Sequence, residues 1–329
     1  MGERQVPLPV GEDKLKYYRI PINLYKNGDL VEQDIYLRYQ GNYLVYRAKS
    51  TRWSSEDSVR LEEFGSDKEL YIRCETDNQH FKFIESNLTR VMSQKDTPTK
   101  EKAVFLYQCA TGIAEGVFKN PSSSETLVRS KKVVTHTMEH LAKDSSAFME
   151  MISLSSHDYY TYTHCVNVMT FTISLLNALG QKDKKVLEDA AIGAFLHDIG
   201  KAKVPLTVLN KPGPLTADEW KIMKKHPEYG MDLLGDKQVP ERGKEIILQH
   251  HEKINGVGYP FGLRGNQIPL ISQVVSICDA YDAMTTNRCY QRARSGFEAF
   301  RIITHEMKGH FSPRLVETFI ELMNFRKKN

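Results

Sequence analysis

The sequence predicts an α+β fold in which a small N-terminal mixed α/β domain precedes an all-α helical bundle. Residues 17–86 contain short runs of β-branched and aromatic residues that end at turn residues, a pattern typical of strands. From about residue 97 onward, apolar residues recur at helical spacing and no strand alternation returns. We therefore expect a small domain at residues 1–90, connecting helices at 91–150 and the main helical domain at 151–329.

The N-terminal domain is expected to contain the β structure. The run at 18–25 is followed by Asn27-Gly28, a pair that favours a hairpin turn, and residues 54–64 have helical spacing. Further strands are predicted at residues 35–39, 43–47, 69–74 and 81–84. This half holds a single histidine, His80, and no cluster of catalytic side chains. We expect it to serve as a scaffold, a dimerisation piece or a regulatory domain.

The remainder of the chain is predicted to be helical. Its first two helices carry many apolar positions but no converging polar groups, so we expect them to form a core or a dimer seam. The predicted helices span residues 99–118, 122–143, 160–179, 184–199, 217–225, 241–251, 268–284 and 297–307.

The composition is that of an ordinary soluble protein and narrows the function classes. Of 329 residues, 40% are hydrophobic and 26% are charged, and the formal net charge is only +4, so nucleic-acid binding is not expected. No run approaches the roughly 18 apolar residues that a membrane span needs, and no secretory signal is recognisable. The five cysteines are scattered and form no CxxC pair, which is typical of a reducing compartment. We therefore expect a cytoplasmic protein without membrane insertion.

Histidines and carboxylates cluster in the helical part, where ten of the eleven histidines follow residue 135. Pairs of them end or interrupt three apolar segments: His197-Asp198, His250-His251, and Asp279 with Asp282. A carboxylate beside an imidazole in a buried helix is costly unless a cation pairs with it. Such ligands suit Fe, Mn or Zn, and more than four of them favour two ions, which can clamp both oxygens of a phosphoryl displacement. No Ser/His/Asp motif, P-loop or GxGxxG sequence competes with this interpretation.

The order of these residues over about 155–320 resembles the HD-GYP family of cyclic di-GMP phosphodiesterases. A His-Asp pair alone is weak evidence, but the ordered series is specific. The matching segments are 196–201 (Leu-His-Asp-Ile-Gly-Lys), 209–215 (Leu-Asn-Lys-Pro-Gly-Pro-Leu), 226–230 (His-Pro-Glu-Tyr-Gly), 250–265 (with Gly-Tyr-Pro at 258–260) and 277–285 (with Asp279 and Asp282).

The resemblance implies an HD-domain helical bundle with a dinuclear centre, of iron or of manganese, that hydrolyses cyclic di-GMP. A hydroxide that bridges the two metals would attack, giving linear pGpG and, with a second cleavage, GMP. The implied metal ligands are His164, His197, Asp198, His226, His250, His251 and Asp279. Asp198 would bridge the ions, and Lys201 would contact phosphate or protonate the leaving oxygen. The implied substrate-binding residues are Lys201, Arg288, Gln291 and the loop residues Gly258, Tyr259 and Pro260.

Four positions depart from the family pattern. No carboxylate stands at Tyr160, so two metals rather than three are expected. An acidic residue common after the proline is absent at Leu206, Cys289 replaces a usual proline, and Gln291 stands where a basic phosphate contact is common. The change at Gln291 bears on substrate affinity or turnover more than on the metal site.

Two alternatives to this phosphodiesterase function therefore stay open. One is a cyclic di-GMP receptor or protein-interaction module with weak or no turnover, and the other is a phosphohydrolase for another nucleotide. Signalling proteins such as diguanylate cyclases, or a second copy of the chain in a homodimer, are the expected protein partners.

Overall fold

A computed structural model describes residues 15–64, 69–123, 125–143, 146–154, 161–235, 239–287 and 292–323. The chain divides into two compact units, Met1–Glu101 and Lys102–Asn329. A small antiparallel sheet lies in the first unit, and every named element in the described part of the second is a helix, so the predicted α+β class is confirmed. The domain limits expected at residues 90 and 150 stay predictions.

The first unit contains a four-stranded antiparallel sheet with the order β1-β4-β2-β3. Two helices accompany it, and the first begins with a capping box between Ser54 and Asp57. The elements are β1 (Lys16–Ile20), β2 (Ile35–Tyr39), β3 (Asn42–Arg47), α1 (Ser55–Glu63), β4 (Glu69–Cys74) and α2 (Asp77–Ser93).

The hairpin expected at Asn27-Gly28 is wrong. β1 pairs with β4, about fifty residues later, and not with β2. A two-residue hairpin loop does join β2 to β3, where Gln40 and Gly41 both have positive φ, at 48° and 82°. Gly28 also has positive φ, and the Asp29 N–H donates to the Lys26 carbonyl across a local turn, but the Gly28 N–H itself donates to the distant Trp53 carbonyl. The Asn-Gly signal therefore marks a turn without a hairpin.

The strand expected at 81–84 is also wrong, because these residues lie inside α2. Thr76 caps this helix by accepting a hydrogen bond from the Gln79 N–H. The buried positions recur at helical spacing: His80, Phe83, Ile84, Asn87, Leu88 and Val91. A four-residue apolar run cannot distinguish strand from helix, whereas the seventeen-residue period and the cap do.

The second unit is a bundle of helices, and all eight predicted ones are present with ends shifted by a few residues. The helices α5, α8, α10 and α14 were not predicted. Over the described residues the α-helices are α3 (Thr99–Lys119), α4 (Glu125–Lys143), α5 (Ala147–Ser153), α6 (Thr161–Ala178), α7 (Lys184–Leu196), α8 (Leu206–Leu209), α9 (Ala217–Met223), α10 (His226–Leu234), α11 (Glu241–Gln249), α12 (Leu270–Thr285), α13 (Gly296–His305) and α14 (Pro313–Leu322). Among the described helices, none combines the length and apolarity required to cross a bilayer.

The core of this bundle is built around α6, in which every residue from His164 to Leu176 is buried. α6 packs against α7, α12 and α14, and α7 packs against α11. The α7–α11 contact is close and requires a glycine at position 193. A methyl group there would lie 2.8 Å from Ile246 Cδ1 and 3.0 Å from Gly243 Cα. A helix that is apolar on all sides is expected at the centre of a bundle. The few polar side chains on these helices therefore face one another in the interior.

Candidate metal centre

The structure brings together all seven side chains that the sequence suggested as metal ligands. They come from α6, α10 and α12 and from the residues that directly follow α7 and α11. Within each of two groups, one ligand atom per residue lies within 4.8 Å of the others. The first group is Asp198, His226, His250 and His251, and the second is His164, His197 and Asp279.

Asp198 lies between the two groups, with one oxygen directed at each. Its Oδ1 is 3.3 Å from His226 Nε2 and 3.9 Å from His250 Nε2. Its Oδ2 is 3.5 Å from His197 Nε2 and 3.7 Å from His164 Nε2. A carboxylate in this position can contribute one oxygen to each of two cations.

Backbone carbonyls fix the orientation of three imidazoles in the centre. The Nδ1 atoms of His197, His226 and His250 lie 2.7, 2.8 and 3.0 Å from the carbonyl oxygens of Ala194, Met223 and Ile247, respectively. Because a carbonyl only accepts, each Nδ1 carries the proton and each Nε2 presents a lone pair to the centre. Metal-binding histidines in proteins are commonly held in this way.

The buried polar atoms of the centre fit a cation. His226 Nε2 and His250 Nε2 are 3.1 Å apart, so in this tautomer two lone pairs face each other. Asp198 is 1% exposed, and neither its Oδ1 nor His197 Nε2 has a hydrogen-bond partner among the described residues. Leaving such groups buried without a partner is costly. Divalent first-row metals would satisfy these nitrogens and oxygens together.

The charge states of five of these seven side chains also suit metal binding. Burial lowers the pKa of His226 to about 4 and holds the pKa values of His250 and His251 well below their usual range. Burial alone would raise the pKa of Asp198, but Lys201 and His197 hold it well below its usual range. For Asp279, burial is likewise outweighed by the hydrogen bond from His164. Neutral imidazoles and ionised carboxylates are the forms that bind metals.

A chain of hydrogen bonds behind His164 was not predicted. Its Nδ1 donates to Asp282 Oδ2 at 2.6 Å, which leaves Nε2 directed at Asp279 Oδ1, 3.2 Å away. Asn167 Nδ2 donates to Asp282 Oδ1 at 2.9 Å, and the Tyr107 hydroxyl donates to Asn167 Oδ1 at 2.9 Å. Burial lowers the pKa of His164, but the hydrogen bonds with Asp279 and Asp282 outweigh it and raise that pKa to about 9. The sequence signal for Asp282 was its spacing of three from Asp279, but Asp282 lies behind the ligand.

The loop that follows His251 is fastened by Glu252, a second residue whose role the sequence did not reveal. Its carboxylate is 1% exposed and accepts from the backbone N–H groups of Phe261, Gly262 and Leu263 at 2.7, 3.1 and 2.9 Å. Gly258 lets the loop fold onto its own base, because a methyl group there would lie 2.5 Å from Glu252 Cα. Tyr259, in the middle of the loop, stacks on the His251 ring with centroids 4.6 Å apart.

An open cleft of about 710 Å³ lies over the centre. Lys201 and Tyr259 line it together with the predicted ligands His226, His251 and Asp279. The Lys201 ammonium forms an ion pair with Asp198 Oδ2. Pro260 and Gly258 flank Tyr259 in the loop. The remaining expectations, at Tyr160, Arg288, Cys289 and Gln291, lie outside the described residues.

Comparisons with known proteins bear on the family and the fold of this chain. A family model for HD domains matches residues 130–315. A cyclic di-GMP phosphodiesterase of Pseudomonas aeruginosa is 34% identical over 222 residues, 67% of this chain and 53% of that protein. A 3'3'-cGAMP-specific phosphodiesterase of Vibrio cholerae is 36% identical over 148 residues, 44% of this chain and 28% of that protein. The chain therefore spans about half the length, or less, of these curated relatives.

A solved structure supports the fold. An HDG"Y"P protein from Bdellovibrio bacteriovorus is 22% identical and superposes with a TM-score of 0.67. The superposition covers 94% of this chain and 100% of that protein. At this identity the likeness concerns the fold alone.

Proposed function

This chain belongs to the HD domain family, and from that premise we propose that it is a metal-dependent phosphodiesterase that hydrolyses cyclic di-GMP to linear pGpG. The observation that carries the proposal is the position of Asp198, with one oxygen directed at each of two groups of imidazoles. The activities of the relatives, which are named as cyclic di-GMP and 3'3'-cGAMP phosphodiesterases, support the substrate class.

Two divalent ions, iron or manganese, are part of the proposal. Asp198, His226, His250 and His251 would hold one ion, and His164, His197 and Asp279 would hold the other, with Asp198 shared. Such a pair supplies Lewis-acid polarisation of phosphate oxygens and lowers the pKa of a bound water.

Lys201 is the proposed acid and phosphate-binding residue. It lies in the 3-10 turn that follows Asp198, and its ammonium is held at Asp198 Oδ2 while its side chain lines the cleft. A cation at this position can contact a phosphate oxygen or deliver a proton to the leaving oxygen. Arg288 and Gln291 are proposed to contact the substrate on the strength of the family resemblance, and a cytoplasmic location and signalling partners rest on the sequence in the same way.

The alternative function is a cyclic di-GMP receptor with weak or no turnover. The glutamine at position 291 favours it, because a neutral amide replaces a basic phosphate contact. The metal centre would then bind the nucleotide with little or no hydrolysis.

The proposal is tested with protein that is stripped of metal and reloaded anaerobically with Fe(II) or Mn(II). Chromatography of the products should show pGpG formed from cyclic di-GMP, and a parallel reaction with 3'3'-cGAMP defines the substrate range. Asp198→Asn should lose both metal and activity. Asp189→Asn is the matched control, because Asp189 is a buried carboxylate on α7 that pairs with Lys185 and Arg242 outside the centre. Intact cyclic di-GMP in the presence of fully metal-loaded protein would refute the catalytic proposal and favour the receptor.

A further inference from the structure

The helix α9 presents a half-exposed tryptophan to the cleft. Trp220 lines the cleft and is 46% exposed, and no residue of α9 is buried. The other tryptophan of the chain, Trp53, is 1% exposed and donates its indole N–H to Ser58 Oγ. Tryptophan is strongly buried on average, so an indole open to a cleft calls for a ligand. Because it is half-exposed, its truncation should cost less stability than truncation of the buried Trp53.

Hydrogen bonds fix the start of the helix that carries this indole. Thr216 and Glu219 form a capping box at the start of α9, with their reciprocal bonds at 3.3 and 2.7 Å. Glu219 also accepts from Lys211 Nζ at 2.5 Å, which ties the preceding loop to the helix. Lys211 lines the same cleft. Trp220, the residue after Glu219, therefore lies in a helical turn whose backbone is fixed by these hydrogen bonds.

Among the described residues that line the cleft, Tyr259 also carries a large aromatic side chain, but its ring already has neighbours. Tyr259 stacks on His251 with an angle of 26° between the rings, and the Lys224 ammonium lies 5.4 Å from the Tyr259 centroid. Lys224 is one turn after Trp220, so this end of α9 faces the loop across the cleft. Trp220 therefore offers the aromatic face on which a planar ligand can stack.

We propose that Trp220 stacks on a purine base of the cyclic dinucleotide and so sets much of the affinity of the cleft. The inference rests on the proposed function, because it supposes that the phosphate lies at Lys201 and the metal centre. A cyclic dinucleotide carries two purines on opposite sides of its sugar-phosphate ring. A cleft of about 710 Å³ is in the usual size range for a ligand of that class. Stacking is tolerant of base identity, so Trp220 supports guanine and adenine alike.

Tryptophan fluorescence reports directly on this contact, because the chain has only two tryptophans. Mn(II)-loaded protein is mixed with cyclic di-GMP in a stopped-flow instrument and read within the first ~10 ms, before typical turnover at about 10 per second. We expect quenching in the wild type and in Trp53→Phe, and no quenching in Trp220→Phe. Inorganic phosphate should not quench.

Affinity supplies the second measurement. Trp220→Ala should weaken binding of cyclic di-GMP and of 3'3'-cGAMP by roughly 5- to 100-fold, and Trp220→Phe should recover most of that loss. Unchanged affinity in Trp220→Ala, or quenching that persists in Trp220→Phe, overturns the inference. Hydrolysis without quenching in the wild type overturns the stacking contact alone. Quenching without hydrolysis supports the contact while refuting the catalytic proposal.

Discussion

Asp282→Asn should weaken metal binding although Asp282 is not itself a proposed ligand. The carboxylate accepts the Nδ1 proton of His164 at 2.6 Å and so directs Nε2 at the centre, where a cation would take the place of the Nε2 proton. An asparagine can keep its oxygen toward Asn167 Nδ2, which preserves that bond, but it then turns its NH2 group toward His164. The imidazole must then accept at Nδ1, so its neutral form keeps its single proton on Nε2, where the cation would bind.

The expected loss follows from this change of tautomer. Removing the partner that orients a metal-binding histidine typically costs about 10- to 100-fold in metal affinity, which corresponds to about 1.4–2.7 kcal/mol. Because the substitution is isosteric and the Asn167 contact is kept, the fold should be retained. The effect should fall on the group formed by His164, His197 and Asp279, while the group around His226 keeps its ligands.

Competitive titration of metal-free protein with Mn(II) measures the two sites. The variant should retain one site of nearly unchanged affinity and show one weakened site. Asp189→Asn, which alters a buried carboxylate outside the centre, should titrate like the wild type. Two sites of wild-type affinity in Asp282→Asn would refute the tautomer argument.

Three further predictions concern other parts of the chain. Lys201→Ala should retain metal but lower kcat by about 100-fold or more, because it removes the proposed acid; an unchanged kcat with full metal content rejects that role. Glu252→Gln should speed amide exchange at residues 261–263 and destabilise the protein by about 1.5–3 kcal/mol, because charged hydrogen bonds are lost; exchange at wild-type rates contradicts the anchoring role. Burial lowers the pKa of His80 to about 4, so the unfolded chain takes up its proton first, and this histidine alone should lower the free energy of unfolding by about 3 kcal/mol as the pH drops from 6.5 to about 4. His80→Phe should flatten that part of the pH profile in chemical denaturation, and an unaltered slope would exclude His80 as its source.

The helix predictions were correct because the apolar period of these segments extends over many turns. In α6 and α12 the repeat covers 18 and 16 residues, which leaves no competing strand interpretation. The errors arose where the signal was short or where pairing was non-local. Residues 81–84 are too few to show a period, and the pairing of β1 with β4 depends on contacts across about fifty residues that no local turn signal reveals.

The residues of the candidate site could be predicted as a set, but the separate role of each residue could not. Asp279 and Asp282 lie on one face of α12, and spacing alone makes them equivalent. They differ because His164, on α6, lies between them and offers Nε2 to one and Nδ1 to the other. Likewise, Glu252 directly follows two proposed ligands, yet its carboxylate points away from them to the backbone of the loop. Only the packing of the helices decides such assignments.

The centre is assembled from groups that oppose one another, so the surrounding backbone must hold it in place. Two imidazole nitrogens with lone pairs are 3.1 Å apart, and a buried carboxylate oxygen lacks a partner among the described residues. Contacts between backbones resist their separation: a methyl group at Gly200 would lie 1.8 Å from the His226 carbonyl oxygen, so the turn that carries Asp198 and Lys201 sits directly on the start of α10. Such contacts fix the ligand positions before a cation arrives, at a cost to the stability of the metal-free protein. A cation that binds only the folded state adds stability in proportion to the logarithm of its concentration over its dissociation constant. Metal binding would therefore be coupled to folding of the helical unit, because the groups that destabilise the metal-free bundle are the proposed metal ligands.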